Sequence, residues 1–141
     1  MSNKLTKKEI EKFSRQIILK DFGSLGQKKI KQAKVLVVGA GGLGCPVAEF
    51  LVRAGIGNIG IVDNDIVNIS NIHRQSLYDT DDVKISKVKS AKKKLKRINP
   101  NTIIKSFNLR IDQTNVKKII KDYDHIAVSY THLRAHETLL Y

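Results

Sequence analysis

Apolar positions along this chain change their period from one segment to the next. Val35-Leu36-Val37-Val38 is an unbroken apolar run rich in β-branched residues, and 59–62 is a second, interrupted only by a glycine. Such runs fit strands buried on both faces, as in a parallel sheet. Residues 45–54 between them read as a helix, with Pro46 in its first turn and Gly55 just past its end. Ile85, Val88, Ala91, Leu95 and Ile98 recur at spacings of 3, 3, 4 and 3, which places them on one stripe of a helix over 86–98. Lys89, Lys92, Lys93, Lys94 and Lys96 fall mostly off that stripe, and Asn99-Pro100 stops the helix. Strands follow at 102–107 and 126–128, with a short helix at 116–121 between them. Upstream, Thr6-Lys7-Lys8-Glu9 is a capping-box pattern that opens a helix running towards Ser14. Gly23 and Gly26 are expected to break the chain before a basic helix over 27–32. The alternation predicts an α/β fold: a doubly wound, mostly parallel sheet with helices on both faces.

Composition narrows the class. The chain has 141 residues, close to one domain, and its 41% hydrophobic and 28% charged content is that of a globular protein. One cysteine excludes a disulfide scaffold or a multi-cysteine metal site, and it fits a reducing, cytoplasmic setting. The first ten residues hold no apolar signal-peptide core, and no run approaches the ~20 apolar residues of a membrane span. The net charge is +13, carried by 20 Lys and 6 Arg. Only 6% of residues are aromatic, poor material for stacking bases, so the excess reads as a solvated surface suited to anionic ligands rather than to nucleic acid.

Candidate chemistry begins after the first strand. Gly39-Ala40-Gly41-Gly42-Leu43-Gly44 satisfies G-x-G-x-x-G between a strand and a helix, making the unit Rossmann-like. The glycines allow a tight turn and close approach to a phosphate, while the helix start offers free N–H groups. Asp63 closes the second strand, 19 residues after Gly44, where a carboxylate can accept bonds from a ribose. Cys45 opens a helix, yet beside Pro46 it reads as a small packed residue. His73 lacks a partner at metal-ligand spacing and reads as a loop residue. No metal site is expected from these residues.

A nicotinamide dehydrogenase is the first reading of such a loop. The next segment favours another. Ser70-Asn71-Ile72-His73-Arg74-Gln75, with Lys87 beyond, brings side chains suited to phosphate oxygens. With Ser14-Arg15-Gln16, Gly26-Gln27, Ala54-Gly55-Ile56-Gly57, Asp63-Asn64-Asp65 and Asn99-Pro100, in this order, the chain resembles the MoeB/ThiF family, bacterial relatives of ubiquitin-activating enzymes.

That resemblance implies ATP-dependent adenylylation of the C-terminal glycine of a ubiquitin-like sulfur carrier of the MoaD/ThiS type, in molybdopterin or thiamin synthesis, with magnesium. It implies that Gly39, Gly41, Gly42 and Gly44 lie against the phosphates and Asp63 on the ribose. Asp65, Ser70, Asn71, Arg74 and Lys87 would complete the nucleotide site. It implies a homodimer in which Arg15 reaches into the neighbour's site. Arg15, Arg74 and Lys87 are the expected catalytic cations. The alternatives are a nicotinamide-dependent oxidoreductase and a non-catalytic nucleotide-binding or interaction module.

The sequence departs from the family after residue 127. Family members continue into an aspartate-rich D-C-T-D-N segment whose second Asp helps hold magnesium, and Val128 and Thr131 stand where the two Asp residues would be. The family's paired C-x-x-C zinc site lies outside this chain. The expected organisation is therefore an N-terminal ATP-binding part over 1–127, with a sheet incomplete at its C-terminal side. A non-native tail over 128–141 would follow, leaving the chain as given inactive.

Overall fold

The computed structural model describes residues 4–129. Four strands, β1 (Lys34–Val38), β2 (Asn58–Val62), β3 (Ile103–Phe107) and β4 (His125–Val128), form one sheet in the order β3-β2-β1-β4. Every pairing is parallel, with Val35 opposite Ile59 and His125, and Ile59 opposite Ile104. Six helices are described: α1 (Lys7–Lys12), α2 (Ser14–Ile17), α3 (Gly23–Gln32), α4 (Gly44–Ala54), α5 (Lys87–Ile98) and α6 (Val116–Ile120). None of them is long and apolar enough to cross a membrane.

Period-two alternation on β1 divides the core. Val35 and Val37 face one side, where Ile59, Ile61 and Ile104 meet Ala48 and Val52 of α4 and Val88, Ala91 and Leu95 of α5. Leu36 and Val38 face the other, against Val62 and Ile119 of α6. Helices thus cover both faces, as a doubly wound sheet requires. The second face is more thinly covered. Ile126 and Val128, in register with Leu36 and Val38, stay 45% and 60% exposed.

The sequence boundaries hold to within a residue or two for most elements. Gly55, at φ 97°, ends α4 in the left-handed conformation expected of a glycine there. Two expectations change at the N-terminal side. The first helix stops at Phe13, whose ring is buried, and α2 starts anew. Gly23, at φ 56°, does mark a break, with α3 starting there, but Gly26 does not: α3 runs through it. A side chain at Gly26 would stand 2.6 Å from the Phe22 ring, so glycine is held inside this helix by packing against that ring. Ile85 precedes α5 and is partly exposed, so the apolar stripe is carried by Val88, Ala91, Leu95 and Ile98.

The long crossover from β2 to α5 carries two 3₁₀ turns, Ile69–Asn71 and Thr80–Asp82, which hydrophobic periodicity does not reveal. It is tied back on itself, since Val67 N donates to Ile85 O and Lys84 N donates to Val67 O, both at 2.8 Å. This closure places Lys84 at φ 69°, the one non-glycine residue of positive φ among the described residues. A β-carbon costs ~1–2 kcal/mol in that region, partly offset for glycine by its greater freedom in the unfolded chain. Lys84→Gly is therefore expected to stabilise the protein by roughly 0.5–1 kcal/mol. Urea denaturation should show a higher midpoint at unchanged slope, and a lower midpoint would contradict the assignment.

Candidate functional site

The strand order 3-2-1-4 reverses direction between β1 and β4, and α/β sheets bind ligands in the crevice at the carboxyl ends of strands beside such a reversal. The glycine loop leaves β1 at that point. Gly39 has φ 96°, which turns the chain out of the strand. A β-carbon on Gly44 would strike the Gly39 carbonyl, so helix α4 can start this close to the strand only with glycine there. Ser129, just past β4, lies across the same crevice. Its hydroxyl stands 2.9 Å from Gly39 O and 3.0 Å from Val38 O, and its N–H donates to Val38 O. Residues 130–141, including Thr131 and most of the segment read as a non-native tail, lie outside the described residues.

Asp63 sits at the end of β2, as its sequence position suggests, with both carboxylate oxygens engaged. One accepts from Ala40 N at 2.8 Å and the other from Asp65 N at 2.8 Å. Each oxygen keeps further lone-pair capacity, so the carboxylate can still accept a bond from a ligand.

Arg74 comes to the open side of the loop. Its Nε lies 3.8 Å from where a β-carbon of Gly42 would stand, and its Nη1 donates to Ser70 O at 2.9 Å. Arg74 and Ser70 are exposed. Asn71 is buried, and its Oδ1 accepts from Asn68 N, capping the 3₁₀ turn that presents Ser70. Lys87 is the first residue of α5 and is buried, with its Nζ 3.5 Å from Asp65 Oδ2. Asp65 therefore connects Lys87 to the Asp63 corner. The Gly41 and Gly42 N–H groups have no partner in the chain among the described residues. A loop with two free N–H donors, an arginine above it and a carboxylate beside it can hold a phosphate and a ribose together.

Arg15 stands apart. It is exposed on α2, and its neighbour Gln16 donates to Ala54 O, at the far end of α4. That end lies ~15 Å from the glycine loop at 1.5 Å rise per residue, beyond the reach of an arginine side chain. Gln27, fully buried, also donates to Ala54 O and accepts from Gln16 at 2.6 Å. Both glutamines lie within motifs that carry the family resemblance, where the sequence alone assigns them no role. Their job here is to fasten the N-terminal helices onto α4.

Cys45 is fully buried, its Sγ 3.4 Å from Ala40 O, and burial pushes its thiol up, which fits the packed residue expected. His73 is exposed. Among the described residues no group of three or more His, Cys, Asp or Glu could hold a metal ion. Val128 places an exposed apolar side chain at the first of the family's two aspartate positions. The second of those positions, Thr131, which the family resemblance ties to magnesium, lies outside the described residues.

A parallel sheet of this order, with a glycine loop at its reversal, defines a nucleotide-binding class of α/β proteins. The particular family follows from comparison: the ThiF family model matches residues 13–136, and the chain belongs to that family. A similar relative is the adenylyltransferase and sulfurtransferase UBA4 of Scheffersomyces stipitis, 50% identical over 117 residues, which cover 82% of this chain and 26% of the relative. The sulfur carrier protein adenylyltransferase of Thermus thermophilus is 44% identical over 119 residues, covering 84% of this chain and 44% of that protein. Among solved structures, the tRNA N6-threonylcarbamoyladenosine dehydratase of E. coli in complex with ATP superposes with a TM-score of 0.83 at 26% identity. That match covers 90% of this chain and 52% of the other. The chain thus spans between a quarter and about half of the length of these relatives.

Proposed function

We propose that this chain carries the ATP-binding half of an adenylyltransferase acting on the C-terminal glycine of a ubiquitin-like sulfur carrier of the MoaD/ThiS type. The observation that carries the proposal is Arg74 standing over Gly42, beside two N–H donors without partners among the described residues. The adenylyltransferase names of the relatives support the reading, as does the ATP complex of the structural neighbour.

The chemistry asks little of acid–base groups. A terminal carboxylate has a pKa near ~3.5 and is ionised at neutral pH. One of its oxygens attacks the α-phosphorus of ATP, the bond to the bridging oxygen breaks, and pyrophosphate leaves with the electron pair. The obstacle is to bring one anion onto another, so the catalytic work is neutralisation and alignment. Gly41 and Gly42 donate to phosphate oxygens. Arg74 and Ser70 close over them, Asn71 shapes that turn, and Lys87 supplies a buried positive charge steadied by Asp65. Asp63 accepts from the ribose.

Arg15 cannot serve the glycine loop of its own chain. In a homodimer it would act as a cation supplied in trans. Leu43, Val47 and Phe50 are exposed on one side of α4, and Ile18 and Leu19 are exposed beside Arg15, which gives two copies apolar surface to bury.

Three outcomes are expected. Asp63→Ala should weaken ATP binding by roughly 1.5–3 kcal/mol, the range of a hydrogen bond to a charged group. Calorimetry with ATP and NAD in competition would read this, and preference for NAD would favour the oxidoreductase instead. Arg15→Ala and Arg74→Ala should each weaken ATP binding. Mixing the two variants should restore about a quarter of the tight sites, because half the dimers are mixed and each regains one intact site. No recovery in a verified mixed dimer would remove Arg15 from the partner's site. The 141-residue chain, with Val128 and Thr131 at the aspartate positions, is expected to bind ATP without catalysing carrier-dependent pyrophosphate exchange. Exchange above a Lys87→Ala control would overturn that expectation.

A further inference from the structure

The peptide between Ala40 and Gly41 is held by a buried residue that belongs to none of the motifs above. Tyr78 is 4% exposed, and its hydroxyl donates to Ala40 O at 2.6 Å. Cys45 Sγ approaches the same carbonyl at 3.4 Å from the first turn of α4. On the other side of the residue, Ala40 N donates to Asp63 Oδ2. Ala40 is thus pinned at both its N–H and its carbonyl by three side chains.

The consequence follows from peptide geometry. No peptide bond among the described residues is cis. In a planar trans peptide, the carbonyl of one residue and the N–H of the next point in opposite directions. Tyr78 and Cys45 draw the Ala40 carbonyl into the core, so the Gly41 N–H is turned the other way, away from those two side chains. Gly41 has no β-carbon to resist rotation of this peptide. Were the carbonyl released, a flip would put its negative end where an anion is to bind and withdraw a donor. Removing the Tyr78 hydroxyl leaves only the weak thiol donor on that carbonyl.

We infer that Tyr78 is a positioning residue of the glycine loop: its hydroxyl orients the Gly41 N–H towards the phosphates of a bound nucleotide. The inference rests on the nucleotide-binding reading proposed above, and it touches neither ligand nor reacting atoms. A role in stability alone would lower the affinity for every ligand alike. A role in aiming Gly41 N–H lowers only the part contributed by phosphate.

The test uses the 141-residue chain and its Tyr78→Phe variant, with ATP and adenosine as paired probes in calorimetry. The wild type is expected to prefer ATP, and the variant to lose about three- to tenfold of that preference while binding adenosine as before. A parallel measurement needs no variant: in wild-type protein, the Gly41 amide resonance should move on titration with ATP and stay in place with adenosine. An unchanged ratio of ATP to adenosine affinity in Tyr78→Phe overturns the inference, as does a Gly41 amide indifferent to ATP. Wild-type protein that fails to bind ATP overturns the nucleotide reading itself, and this inference with it.

Discussion

The carboxylate of Asp63 ties two strand ends into one corner, and the site is built outward from it. One oxygen holds the backbone leaving β1 and the other holds the backbone leaving β2. Without that double acceptance, the turn after β1 would depend on glycine alone, and glycine prefers no single conformation. With it, Ala40 is fixed, the start of α4 is fixed against Gly39, and the segment leading to Asp65 and Lys87 leaves β2 in a set direction. The carboxylate is therefore structural before it is anything else, and its proposed use towards a ribose would draw on lone pairs the backbone leaves over.

The two faces of the sheet do unequal work. The face under α4 and α5 holds most of the buried apolar side chains, and both helices begin at the site: Gly44 opens one and Lys87 the other. The well-packed face is thus the one that sets the loop and the buried lysine relative to each other. The opposite face, under α6, contributes few buried residues and leaves β4 partly exposed. The denser packing lies under the candidate site.

Legibility in the sequence followed the range of the interaction concerned. The strands and the longer helices were readable because their period is set by burial of neighbours within a few residues, as in 35–38 and along Val88, Ala91 and Leu95. The glycine loop and Asp63 were readable because backbone geometry demands particular residues at particular steps. Arg74 and Lys87 were suggested by side chains suited to phosphate and given roles by resemblance to a family, while Arg15 came from that resemblance alone, since a cation in a chain with 26 of them carries little signal. Gly26 was misread because a helix-breaking tendency of ~1 kcal/mol is overridden by one aromatic ring packed on it. Tyr78 and Ser129 could not be read at all. Their partners lie 38 and about 90 residues away, and only the folded sheet brings them to the loop.

Gln16 and Gln27 meet at a single carbonyl, that of Ala54, and so make α4 a shared beam. Its near end is the glycine loop and its far end carries the helices that bear Arg15. In a dimer of the proposed kind, Arg15 would reach the neighbour's site from the far end of the helix that begins its own chain's loop. One helix would thus serve the loop of its own chain at one end and, at the other, the arginine offered to a neighbour.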